Sequence, residues 1–214
     1  MSLIFASTTQ IITQRLSSSW PWYVVRGAGF TAAALLILLM ISGIGMVTGL
    51  TYKFLEPIKA WAVHKALGIA LLVAIAVHIG FLLIDHFVPF SIWQLFIPFL
   101  SRYTNGTKLL GLPLGVLGVT LGILAMYGVI IVVLSSLGWI DTKKKAWRWL
   151  HYLSYIVMFF VFLHALYNGT DLKYGTFRTI WVLIGLVLVV ATVSRLLRSG
   201  TLKPRNNDPD DDDE

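Results

Sequence analysis

Four of the five histidines stand in two pairs within apolar stretches: His64 and His78 are 14 residues apart, and His151 and His164 are 13 apart. Imidazole ligates several transition metals and serves as an axial ligand to iron. An ionisable side chain at bilayer depth is costly enough to be read as functional. Chemistry of this kind needs elements that bring the rings level with one another.

Those elements are legible in the composition. Of 214 residues, 57% are hydrophobic and 13% charged, and the mean hydropathy is +0.79, which excludes an ordinary soluble domain. Five stretches are long and apolar enough to cross a hydrocarbon core that takes about 20 residues of helix: about 27–50, 62–84, 110–137, 149–168 and 178–197. The expected fold class is therefore all-α, an integral membrane bundle of five transmembrane helices occupying residues 26–197. Residues 1–25 carry polar clusters at Ser7–Gln10 and Gln14–Ser19 and no apolar run of signal length. They read as a tail or interfacial segment. Residues 198–214 hold six of the ten acidic residues, Asp208, Asp210, Asp211, Asp212, Asp213 and Glu214, and read as a disordered acidic tail.

Lysine and arginine set the orientation, because positively charged loops resist translocation. Lys53, Lys59, Lys65, Lys143, Lys144, Lys145, Arg148, Arg195, Arg198, Lys203 and Arg205 fall on one side, against Arg15, Arg26, Arg102, Lys108, Lys173 and Arg178 on the other. The count of 11 against 6 puts the N-terminus outside and the C-terminus in the cytoplasm. The formal net charge of +7 is explained by anionic lipid headgroups as partners, and nothing points to nucleic acid.

His64 would lie near the cytoplasmic start of the second span, with His78 about 21 Å further along it. One span separates this helix from the fourth, so the two run parallel, and His64 falls level with His151 and His78 with His164. Two imidazoles meet at each level. Zinc needs three or four protein ligands, whereas two axial nitrogens on opposite faces of a porphyrin use two. Gly68, Leu71 and Ile75 share the face of His64 and His78, an apolar wall with a glycine where a macrocycle can approach. The other pair fits less well. Fourteen residues return to within about 40° of the starting face, but 13 miss it by about 140°. The fourth span should carry a change of winding or a bend, or its rings should be approached from different sides. The chain has no cysteine, so disulfides, thiolate clusters and covalent heme are excluded.

Further motifs accompany the histidines: Arg26-Gly27 opening the first span, His64-Lys65, the segment from Val88-Pro89-Phe90 to Ile97-Pro98-Phe99, Trp147-Arg148-x-Leu150-His151-Tyr152-Leu153-Ser154-Tyr155, and His164 followed by Gly169-Thr170-Asp171. Together they resemble the ferric-reductase-type transmembrane heme domain, the family of bacterial ferric reductases, the membrane part of NADPH oxidases and the heme subunit of the periplasmic methionine sulfoxide reductase system. The resemblance covers about residues 24–197. It implies two non-covalent b hemes, His64 and His151 ligating the cytoplasmic-side one and His78 and His164 the outer one, in a relay that carries single electrons from a cytosolic flavin to an outer acceptor.

The departures shape that expectation. About 17 residues follow the last span, with no room for a flavin or nicotinamide domain and no G-x-G-x-x-G. The donor is expected to be a separate flavin or NAD(P)H reductase or a quinol, and the acceptor ferric iron or an outer partner protein. Leu82 stands where the oxidases have a further histidine, which disfavours superoxide production. A membrane scaffold or transporter with structural histidines is the alternative of a different class. No span has a buried carboxylate for cation or proton coupling, which argues against it.

Arg26, Lys65 and Arg148 could neutralise heme propionates or snorkel to headgroups. His86 beside Asp85 reads as a solvated interfacial residue. Gly111, Gly115, Gly118, Gly122 and Ala125 make a small-residue face for close packing in lipid, and Gly45 and Gly49 read the same way. Residues 87–107, interrupted by Pro89 and Pro98, are too short to span and read as an outer interfacial segment roofing the outer site. Asn105-Gly106-Thr107 and Asn168-Gly169-Thr170 match a glycosylation pattern but read more simply as turns.

Overall fold

A computed structural model describes residues 2–109 and 111–201 of the chain, with side chains placed between 19 and 197. Five long helices dominate it: α1 (Ser2–Val47), α2 (Pro57–Ile84), α4 (Leu114–Gly138), α5 (Lys144–Asn168) and α6 (Thr176–Thr201), with a short α3 (Ile92–Phe96) between α2 and α4. Within these, Ser19–Val47, Pro57–Ile84, Leu114–Gly138, Lys144–Asn168 and Thr176–Leu197 are each long and apolar enough to cross a membrane. The chain is thus an all-α membrane bundle.

Local chemistry explains the boundaries. Pro57 starts α2 at a position where its missing N–H costs nothing. The turn after α1 closes through Gly49 at a φ of 76°, a conformation glycine adopts without strain. Asn105 accepts the backbone N–H of Thr107 and donates to the Tyr167 carbonyl, and Gly106 has a φ of 82°, so this Asn-Gly does make a turn. Asn168 instead ends α5 and donates from Nδ2 to the Gly115 carbonyl. The first helix differs from expectation, since residues 2–25 continue the first span as one helix rather than forming a separate segment. From residue 202 on, the acidic tail lies outside the described residues.

The helices are paired. α1 packs along α2 and α4 along α5, while the two pairs touch each other far less. Glycines allow the close approach within the second pair: a Cβ on Gly128 would collide with Val157, and one on Gly118 would lie 2.5 Å from Asn168 Oδ1. α6 packs on α5 through Phe162 and Trp181, stacked at 5.4 Å with planes 7° apart. Between the pairs, at mid-height, sits a core of Leu36, Met40, Leu71, Ala125, Val129, Val157, Met158 and Leu188. Above and below this core the pairs part to leave two cavities, of about 480 Å³ and 260 Å³. Leu36, Leu71 and Val129 line both, so one apolar layer divides them.

Residues 87–107 contribute Val88, Phe90, Leu95 and Tyr103 to the lining of the smaller cavity. Phe90 packs against Val119, Ile123 and Met126 of α4, and Leu95 is buried.

Candidate cofactor site

Each cavity holds one pair of histidines. His64 and His151 line the larger, and His78 and His164 the smaller. The ring centroids stand 6.2 Å apart in the first pair and 6.4 Å in the second. A metal-bound imidazole nitrogen lies about 2 Å from the metal with its ring centre about 1 Å behind, so two rings on one ion have centroids roughly 6 Å apart. Both pairs have that separation. α5 meets this geometry as an unbroken α-helix, without the change of winding that was one expectation for a 13-residue spacing. Its two rings leave the axis in different directions and meet their partners at interplanar angles of 51° and 88°.

The outward nitrogen of every ring is held by the neighbouring helix. His78 Nδ1 lies 2.9 Å from the Val25 carbonyl of α1, and His164 Nδ1 lies 2.8 Å from the Gly118 carbonyl of α4. A carbonyl only accepts, so both nitrogens carry the proton. His64 Nδ1 lies 2.8 Å from Ser42 Oγ, whose own hydrogen goes to the Leu39 carbonyl. Ser136 Oγ donates to the Val132 carbonyl, accepts from Trp147 Nε1 and stands 3.3 Å from His151 Nδ1. Ser42 and Ser136 thus hold Nδ1 of His64 and His151 in place, while His78 and His164 are fixed by their carbonyl partners in the tautomer whose Nε2 bears the free lone pair. Among the described residues, no hydrogen bond engages any of the four Nε2 atoms. Metal-ligating histidines are held in this way, with the other nitrogen donating to a carbonyl or similar acceptor that fixes tautomer and ring orientation.

Glycines seat three of the rings. A Cβ on Gly29 would lie 3.3 Å from His78, one on Gly43 3.4 Å from His64, and one on Gly122 2.5 Å from His164 Nδ1. Gly29 and Gly43 repeat on α1 the 14-residue interval of the histidines they face. Gly68 is buried in the wall of the larger cavity, 3.8 Å from Val133 when given a Cβ.

Charge divides the cavities. The larger is lined by Lys65, Arg148 and Arg195 and by no carboxylate. Lys65 lies over the Trp61 ring at 5.2 Å. Arg195 donates to the Tyr155 hydroxyl and lies over the rings of Tyr152 and Tyr155, while its Nε is buried with no hydrogen-bond partner. The smaller cavity has Arg26 in its wall, but Asp171 matches that charge through a two-point ion pair, with Nε at 3.0 Å from Oδ2. Asn168 Oδ1 is a second buried atom without a partner, beside the same cavity. His86 is exposed at the end of α2, apart from both sites.

Among the described residues, no group of three or more His, Cys, Asp or Glu gathers to hold a metal ion. Two imidazoles suit instead a metal whose remaining bonds come from a planar macrocycle, and apolar walls, seating glycines and an unpartnered guanidinium nitrogen fit a heme with its acidic edge. The residues the sequence marked as ligands come together in the pairs expected. Ser42, Ser136, Gly29, Gly43, Arg195 and Asp171 were not singled out for the site. Of these, only the glycine interval on α1 left a signal in the sequence. Comparison of the chain with family models, curated proteins and solved structures returns no match.

Proposed function

We propose that the chain is the heme subunit of a transmembrane electron relay, an oxidoreductase component of the ferric-reductase type. It would take electrons from a donor on the cytoplasmic side, a flavoprotein or a quinol, and deliver them to an acceptor outside. One observation carries this reading: four histidines, each held at Nδ1 by a neighbouring helix, paired across two apolar cavities at the separation of two imidazoles on one metal. Bound there, two b hemes would supply single-electron transfer.

The rest is the work of the chain's own residues. His64 and His151 hold the site on the lysine-rich side, and His78 and His164 the site on the other. A heme held at each level by two imidazoles would have no position left for a small molecule, which favours relay. Val25, Ser42, Gly118 and Ser136 hold the rings against rotation and raise the basicity of the ligating nitrogens. Lys65, Arg148 and Arg195 would offer positive charge to the acidic edge of a heme in the larger cavity. The low-dielectric walls and the unpaired cations at one level only would set different potentials for the two sites.

The excess of lysine and arginine near His64 supports an orientation with that site facing the cytoplasm. Ferric iron or a partner protein as acceptor follows from the resemblance alone. A reduced-minus-oxidised visible spectrum with heme quantified per chain tests the core of the proposal: two b hemes per chain are expected, and about one in His78→Ala. A folded, heme-supplied preparation that binds none would replace it with the scaffold or transporter reading.

A further inference from the structure

Residues 87–100 form an apolar strip with no Lys, Arg, Asp or Glu. Its depth can be read from α4. That helix has 25 residues, about 37 Å of axis against a hydrocarbon core of about 30 Å. The Phe99 backbone N–H donates at 3.0 Å to the hydroxyl of Thr120, a residue 1% exposed. Thr120 lies six residues into α4, about 9 Å from its start. The Phe96 carbonyl accepts at 2.8 Å from Tyr127, 13 residues in, whose side chain leans back toward the helix start. Both contacts therefore fall about 5–10 Å inside the hydrocarbon.

Irregular backbone survives at such depth only if its polar groups find partners. Thr120 and Tyr127 supply two of them. The strip's two polar side chains, Ser91 and Gln94, form a reciprocal cap within it, with the Ser91 N–H donating at 3.0 Å to Gln94 Oε1. Most of its exposed side chains are apolar. Phe87, Trp93 and Phe99 are 72%, 66% and 62% exposed, and Ile92, Ile97 and Leu100 are exposed beside them.

We propose that residues 87–100 are a re-entrant segment embedded in the leaflet on the His78 side, with lipid acyl chains covering Phe87, Trp93, Phe96 and Phe99. Its inner face, through Phe90 and Leu95, closes the gap between α2 and α4 and walls the His78 cavity from lipid. The proposal rests on the membrane spans alone and stands whether or not the cavities hold heme.

The chain lacks cysteine, so single cysteines report cleanly. In proteoliposomes containing a phospholipid with a diazirine near mid-chain, photolysis should insert into residues 92–100 about as efficiently as into Leu186 and Val190 on the exposed face of α6. In the same vesicles, Trp93→Cys and Phe96→Cys should resist a membrane-impermeant sulfonated maleimide that labels Thr107→Cys, with Ile97→Cys as substitute if either fails to fold. Labelling at the Thr107→Cys rate would overturn the proposal and return the strip to the aqueous interface. Protection without acyl-chain insertion would overturn it too, by showing that protein covers the strip.

Discussion

Removing the hydroxyl of Ser42 or Ser136 leaves an imidazole freer to rotate and its Nδ1 without that partner. Loss of such a supporting bond typically weakens a metal site about 10–100-fold. Ser42→Ala should therefore speed heme loss from the His64 site, read as transfer of heme to excess apomyoglobin, while Ser42→Thr, which keeps the hydroxyl, should not. Arg195 should act differently. Its buried Nε has no partner, and replacement by Gln removes a cation from a cavity with no carboxylate. A cation favours the reduced, less positive state of a nearby redox centre. Arg195→Gln should thus lower the midpoint potential of one heme in a redox titration and leave the other unmoved. The paired histidines were legible because histidine at bilayer depth is rare and two pairs at similar intervals on parallel spans fall at two levels, although only the 14-residue interval returns near its starting face. Arg195 was not, since it sits among lysines and arginines that orientation alone explains. Asp171 stood in the sequence only as part of the motif after His164, and it is the counterion of Arg26.

At the scale of helices, the two tight pairs depend on absent side chains. Gly122→Ala would place a methyl 2.5 Å from His164 Nδ1, where the ring is already held by the Gly118 carbonyl and has little room to retreat. The variant should insert normally but retain about one heme per chain by hemochrome assay, with His164→Ala giving the same count. Tyr127→Phe should leave the Phe96 carbonyl unpaired in an apolar setting, at a cost of about 1–3 kcal/mol. A lower unfolding temperature in detergent would show it, with heme content unchanged. The five spans were readable from hydropathy because lipid exposes apolar side chains all round a helix. The 46-residue length of α1 was not, because polar clusters before the span resemble a break when only hydropathy is followed. For the strip after α2, Pro89 and Pro98 mark it as non-spanning, but its hydrogen bonds to Thr120 and Tyr127 involve residues that look unremarkable in the middle of a span. Gly29 and Gly43 repeat the histidine interval and could have been noticed, whereas the glycines of α4 drew attention only as a packing face.

For the whole molecule, the asymmetry of charge predicts that a fluorescent protein fused after residue 214 will fold in the cytoplasm, and that a periplasmic phosphatase inserted after Gly106 will be active. The reverse pattern would invert the bundle and exchange the donor and acceptor sides without moving a ligand. A last consequence belongs to the single layer of Leu36, Leu71 and Val129 between the cavities. None of the described residues that line both cavities has a polar side chain to pass a proton. An electron crossing this layer would travel uncompensated, so each turnover would separate charge across the bilayer. With the potential negative inside, as in respiring cells, outward transfer gains about 2.3 kcal/mol per 100 mV for a full traverse. The bundle would thus behave as a voltage-driven conductor, and the rate of acceptor reduction in energised vesicles should fall when an ionophore collapses the field.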